Sequence, residues 1–285
     1  MARTSNDTGR ALEYIISEEF HGVGFNFGPL ARTHQKNFAP YFNALPSSQR
    51  ALFETASSNI LNWVLKRFPQ IPKELEALPD NSGSVVDVVL GTPSQTVNLS
   101  IKHNHLALRH NRPHGLPNRC GVSQSLEDAY LDDLYAIEVQ MRKEDPAVFF
   151  RMMKDKQKWM KKINDNAKKH LESWTKVSPS SVGTYFGYLT SNDRPYYKIE
   201  VSNRFPNFVY VHEFLGNQSP SVVSLSFNHL DYLVLDYDNG WSIYKRLHNA
   251  SSRIDGLSFT NRSSTGDWKW DVQLINQPNK KGFAL

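Results

Sequence analysis

Asp87, Ser100 and Lys102 are the residues whose types and spacing could do chemistry, and that chemistry would be metal-assisted hydrolysis of a phosphate ester. An aspartate carboxylate is a hard oxygen ligand for Mg²⁺. A metal so held neutralises charge on a scissile phosphate and lowers the pKa of a bound water. A neighbouring lysine can orient that water, help to deprotonate it, or stabilise the pentavalent phosphorane. Asp87 and Lys102 are fifteen residues apart, with the turn signal Gly91, Thr92 and Pro93 between them. Adjacent strands of a hairpin can therefore bring both side chains to one end of a sheet. The carbonyl of Ile101, between Ser100 and Lys102, is a second candidate metal ligand.

The elements that must position these residues follow from the hydrophobic pattern. Val85, Val86, Val88, Val89 and Leu90 predict a buried first strand that contains Asp87. Val97, Leu99 and Ile101 alternate with Asn98, Ser100 and Lys102, so the second strand has one polar face, shared by Ser100 and Lys102. Before the hairpin, residues 1–80 read as helical. Capping candidates Ser5, Asn6 and Asp7 precede Ala11, Leu12, Ile15 and Ile16 at helical spacing. A second helix starts near Ser47, carries Leu52, Phe53, Ala56, Ile60, Trp63 and Val64, and stops at Pro69 and Pro72. Helical stretches over about 124–143 and 146–175 follow the hairpin. The remainder reads as strands: "TYFGYLT", "PYYKIEV", "FVYVHEFL", "SVVSLSF", "DYLVLDY", "WSIYKRLH" and "WKWDVQLI". The class is α+β, a mixed α/β chain of 285 residues read as one unit. Its subregions are a helical part at 1–80, the catalytic hairpin and helices at 81–176, and a β-rich part at 177–285, with a boundary signal near 176–180.

"VD" at 86–87 with "SIK" at 100–102 resembles the PD-(D/E)XK nuclease motif. The departure is Ser100, neutral where that family usually carries Glu or Asp. Another acid is then needed, and Glu13 on the first helix is the candidate, as helper in catalysis and as metal ligand beside Asp87 and the Ile101 carbonyl. Three separated segments sharpen the resemblance: "SNDTGRALEY", "LSIKHNHLALRHNRP", and "RLHNASSRIDGLSF" followed by "WKWDVQLI". They look like the HaeIII family of type II restriction endonucleases, and "PYYKIEV" is similar too. The resemblance implies a PD-(D/E)XK core that uses Mg²⁺ to cut double-stranded DNA at a short palindromic site, GGCC if the namesake's specificity is kept. It implies Asp87 and Lys102 as the catalytic pair, with Ser100 at the variant acid position. A palindromic target favours a homodimer, whose two-fold axis matches that of the DNA. A functional pairing with a cognate DNA methyltransferase follows from the restriction role.

Charge distribution points the same way. Net charge is +5 with an isoelectric point of about 9.1. Residues 102–119 carry four Lys or Arg, four His and no acid. Clustered positive charge suits a polyanion. His103, Asn104, His105, Arg109, His110, Asn111 and Arg112 are therefore expected to face DNA, and so are Arg246, His248, Asn249, Ser251, Ser252 and Arg253. Arg can bond guanine at two atoms and Asn suits adenine, although most such contacts go to phosphates. The rival readings are a solvated basic loop, a histidine packed on the core, and a metal site. The adjacent His103-Asn104-His105 does not match the dispersed HNH nuclease pattern, and zinc would need four closely spaced ligands. The run at 151–176 is also basic, with Phe149, Phe150, Met153, Trp159, Met160 and Ile163 as an apolar stripe; its lysines suit either phosphate contact or a solvated face. Lys269 and Asp271 share a strand face as an expected ion pair. Cys120 is the only cysteine, which excludes an internal disulfide and suits a cytoplasmic location. "MARTSNDTGR" lacks the apolar core of a secretion signal. A structure-specific repair or junction nuclease, or a DNA-binding protein without catalysis, are the alternatives.

Overall fold

The computed structural model describes residues 5–79, 85–104, 112–145, 154–190, 194–202, 208–214, 222–229, 232–237, 242–249, 268–274 and 280–284, and from residue 222 onward the backbone alone. In chain order the elements are α1 (Ser5–Gly22), β1 (Asn26–Phe27), α2 (Pro29–Asn43), α3 (Ser47–Arg67), β2 (Glu74–Ala77), β3 (Val88–Thr92) and β4 (Gln95–His103). A short 3₁₀ turn (Pro113–Gly115) leads to α4 (Leu116–Cys120), α5 (Gln124–Glu144), α6 (Lys156–Val177) and α7 (Pro179–Thr190). Then come β5 (Tyr196–Val201), β6 (Phe208–Phe214), β7 (Val222–His229), β8 (Tyr232–Tyr237), β9 (Ser242–Asn249), β10 (Trp268–Leu274) and β11 (Lys280–Ala284). The α+β class holds. No described helix is long and apolar enough to cross a membrane.

The chain divides into two compact units that cut across the contiguous subregions expected from the sequence. The first comprises Met1–Leu106, Arg194–Gly216 and Asn279–Leu285; the second comprises Ala107–Asp193 and Asn217–Pro278. The 176–180 signal falls inside the second unit, between α6 and α7.

The first unit is built on a seven-stranded sheet of order β1-β2-β3-β4-β5-β6-β11. β4 and β5 run parallel, as do β1 and β2; the other neighbours are antiparallel. One sheet face is apolar and buried: Leu75, Val88, Leu90, Val97, Leu99, Ile101, Ile199, Val201, Val209 and Val211. It belongs to one core with Ala11, Leu12, Ile16 and Phe20 of α1 and Phe53, Ala56, Ile60 and Val64 of α3. Those residues recur at helical spacing, which is why the two segments form helices with one buried stripe. Glu76 of β2 ties down α2, its carboxylate accepting the Ala31 N–H at 2.8 Å.

The β3–β4 hairpin depends on Gly91. Its φ is +91°, and a Cβ there would lie 2.1 Å from the Gln95 carbonyl oxygen. Only glycine fits such a backbone at such an approach. The first strand is shorter at its start than the sequence predicts. Asp87 precedes β3 and keeps one ladder bond, its N–H donating to the Leu99 carbonyl at 2.8 Å. Its side chain has turned to β4 and replaces the next ladder bond.

The second unit packs α6 on α5, with a four-stranded antiparallel sheet of order β10-β9-β8-β7. Trp159, Ile163, Ala167, Leu171 and Trp174 make the buried stripe of α6. "TYFGYLT", expected as a strand, lies in helix α7. Ser181, Tyr185 and Leu189 are all buried at four-residue spacing, so helical burial overrides the strand preference of the aromatic residues. "ELEA" at 74–77 forms strand β2 in spite of its helix-favouring composition, because Leu75 and Ala77 pair with Leu90 and Val88.

Candidate active site

At the open end of the hairpin, Asp87 and β4 are joined by two bonds to one carboxylate oxygen. Asp87 Oδ2 accepts the Ile101 N–H at 2.5 Å and the Lys102 Nζ at 2.9 Å. A carboxylate has about four acceptor positions, so this one retains capacity for a cation. The Lys102 and Asp87 side chains keep 26% and 21% of their exposure, enough for access and low enough to strengthen the pair. In an antiparallel ladder a residue's N–H and C=O point to the same side. The Ile101 N–H points toward Asp87, and its carbonyl is therefore directed to that same side, past the start of β3.

Asp87 also lines a narrow recess with Glu13, Tyr14 and Ser17 of α1 and His34 and Gln35 of α2. The recess has room for about one water-sized body. Glu13 and Ser17 are one helical turn apart, and so are Ala31, Gln35 and Phe38 of α2 within about a residue, so two helix faces converge on the hairpin end. Burial, and then the charge of Glu18, raise the Tyr14 hydroxyl above its ordinary pKa, which keeps it a neutral donor. Among the described residues no three His, Cys, Asp or Glu side chains gather to hold an ion by themselves. A cation in the recess would rest on the two carboxylates and water, with the Ile101 carbonyl at the hairpin end beside Asp87 and outside the recess lining. That set suits Mg²⁺, which keeps several waters and takes one or two protein carboxylates.

Ser100 lies on the other face of β4 from the apolar core and is 2% exposed. Its partner across the parallel pairing is Lys198, also 2% exposed, and Lys102 pairs with Glu200. Lys198 in turn pairs with His212 of β6, whose Nε2 lies 3.2 Å from Glu200 Oε2. This buried Lys–Glu–His group was not singled out from the sequence. Its signal was "YYKIEV": charges two apart in an otherwise apolar strand, where charge is costly unless paired.

The residues expected to face DNA are placed separately. His103 ends β4, with its ring edge-on to Phe53 at 5.0 Å and its Nε2 3.1 Å from the Asn104 amide nitrogen. That is the core-packed alternative for this histidine. Asn104 is exposed, with a φ of +54°, a left-handed conformation asparagine tolerates, and there the strand stops. Arg112 is exposed just before the 3₁₀ turn of the second unit. Arg246, His248 and Asn249 lie on β9, an interior strand of the second sheet, where Arg246 pairs in register with Asp271 and His248 with Lys269. His105, Arg109, His110, Asn111, Ser251, Ser252 and Arg253 lie outside the described residues. On α6 the lysines are largely matched by acids. Lys158 pairs with Glu144, Lys161 with Asp165, Lys168 with Glu172 and Lys169 with Asp133. Those four pairs suit a solvated face, and Phe149, Phe150 and Met153 of the expected stripe lie outside the described residues.

Compared with protein-family models, curated proteins and solved structures, the chain finds no match. The functional reading therefore stands on the hairpin end and its surroundings.

Proposed function

We propose that this chain is a Mg²⁺-dependent endonuclease with a PD-(D/E)XK core, acting as a type II restriction enzyme on double-stranded DNA. The observation that carries the proposal is the junction of Asp87 with Lys102 and Ile101 across the hairpin end, with Glu13 on the same recess. When bound, Mg²⁺ would supply charge neutralisation at the phosphate and a water of lowered pKa. Asp87, Glu13 and the Ile101 carbonyl would hold it. Asp87 is itself fixed by the Ile101 N–H, so its carboxylate is set by the strand and not by a flexible loop. Lys102 holds a proton-rich Nζ beside that carboxylate and donates to the attacking water or to a non-bridging phosphate oxygen. The water oxygen forms the new P–O bond as its proton passes to solvent, the bond to the leaving sugar oxygen breaks, and that oxygen takes up a proton from solvent to leave as a hydroxyl. Ser100, buried beside Lys198, contributes a hydroxyl to strand packing and leaves the acid role to Glu13.

Asn104 to Arg112 and Arg246 to Arg253 would supply DNA contacts, and a homodimer would match a palindromic site such as GGCC. Such an enzyme would act in the cytoplasm, with a cognate methyltransferase protecting the host's own sites. Digestion of a plasmid of known sequence, with the ends mapped, tests the proposal. Discrete fragments that require Mg²⁺ and share one short sequence at their ends are expected. Cutting only at junctions, flaps or mismatches would replace it with the structure-specific nuclease. Duplex binding in Mg²⁺ with no cleavage of any sequence would leave a DNA-binding protein without catalysis.

A further inference from the structure

We infer that Gln35 of α2 is a ligand of the divalent cation, supplying its side-chain carbonyl oxygen beside Asp87 and Glu13. The inference rests on the metal-dependent reading of the hairpin end. Gln35 lines the same recess as both carboxylates. Its Oε1 is buried and has no hydrogen-bond partner among the described residues. A side-chain carbonyl oxygen has two acceptor positions, so Gln35 offers an unused oxygen acceptor at a residue that lines the recess.

A buried amide oxygen left unsatisfied is unfavourable, and native proteins retain few of them without a reason such as an ion. A carbonyl oxygen with two carboxylates is a hard-oxygen set suited to Mg²⁺ or Mn²⁺. It also answers the deficit left by Ser100. Where a third carboxylate is missing, a neutral oxygen from α2 raises the ligand count without adding negative charge that would repel the phosphate. Glu76 anchors α2 one helical turn before Gln35, binding the Ala31 N–H from β2.

The test is calorimetric titration of the full chain with Mn²⁺, without DNA, together with the unfolding midpoint of the metal-free protein. Gln35→Met keeps the length of the side chain and removes the oxygen. It is expected to weaken Mn²⁺ binding at least about tenfold, the range seen when groups supporting a metal site are lost. The metal-free midpoint is expected to fall by no more than the loss of the one side-chain hydrogen bond to Tyr14 allows. Gln35→Glu retains the oxygen and is expected to bind Mn²⁺ at least as tightly as the native chain. Binding by Gln35→Met equal to the native chain, with Asp87→Asn impaired, would overturn the Gln35 assignment alone. A larger fall in midpoint together with a fall in binding for Gln35→Met, with no binding recovered in Gln35→Glu, would make Gln35 structural and overturn it as well. No Mn²⁺ binding by the native chain would overturn the metal-dependent reading beneath it.

Discussion

The Asp87–Lys102 pair predicts a measurable coupling energy. Asp87→Asn removes the charge but keeps an oxygen for the Ile101 N–H, and Lys102→Met removes the cation but keeps most of the stem. Their double-mutant cycle therefore isolates the bond seen at 2.9 Å. Fully exposed ion pairs yield about 0.2–1 kcal/mol, and hydrogen bonds to charged groups within proteins about 1.5–3 kcal/mol. With 26% and 21% exposure, this pair lies between those limits. The expected coupling is about 1–2 kcal/mol, read from urea unfolding with an unchanged slope. A coupling under about 0.3 kcal/mol would mean strict additivity and would refute the pairing. Salt adds a second reading: a pair this covered should keep most of its coupling in high salt, whereas an exposed one would lose it.

Gly91→Ala should destabilise by at least about 2 kcal/mol, since it forces a left-handed β-carbon onto the Gln95 carbonyl. Gly115→Ala, where a β-carbon meets nothing within 4 Å, should stay within about 0.5 kcal/mol, and equal effects would contradict the turn argument. Lys169 and His170 hold the Asp133 carboxyl below the usual aspartate range. Its stabilising contribution should be complete at neutral pH, persist down to roughly pH 4, and vanish as pH falls further. The stability gap between native chain and Asp133→Asn should close in acid; a gap that widens there would contradict the sign. Glu200→Ala strips buried His212 of its carboxylate and should cost about 1–3 kcal/mol by denaturant unfolding, with no change refuting the buried bond.

What the sequence showed of this site was local. Asp87 and Lys102 are linked by a single hairpin, so alternation and one turn sufficed to bring them together. Glu13 was inferred from the acid missing at Ser100, and it shares a recess with Asp87 because the apolar stripe of α1 lies in the same core as the sheet. Gln35 was not legible. Nothing in "THQKNF" marks chemistry until α2 is set beside α1 by tertiary packing. Lys198 and Glu200 were legible only as strand residues, because their placement beside Ser100 and Lys102 comes from a parallel pairing between strands about a hundred residues apart. The histidines of "KHNH" drew attention by composition, yet His103 meets Phe53, a contact set by α3 and invisible in the segment itself. "TYFGYLT" shows the same limit in reverse: aromatic content favoured a strand, and the spacing of Ser181, Tyr185 and Leu189 made a helix.

The central claim is that Asp87 and Lys102 cut DNA. It is tested most directly by cleavage and duplex binding of Asp87→Ala and Lys102→Ala beside the native chain in Mg²⁺. The account predicts that the native chain cuts, that chelation stops it, and that both variants still bind duplex DNA while cleavage falls by at least about a hundredfold, the scale of losing a group that stabilises transition-state charge. Cleavage unchanged in both folded variants would contradict it.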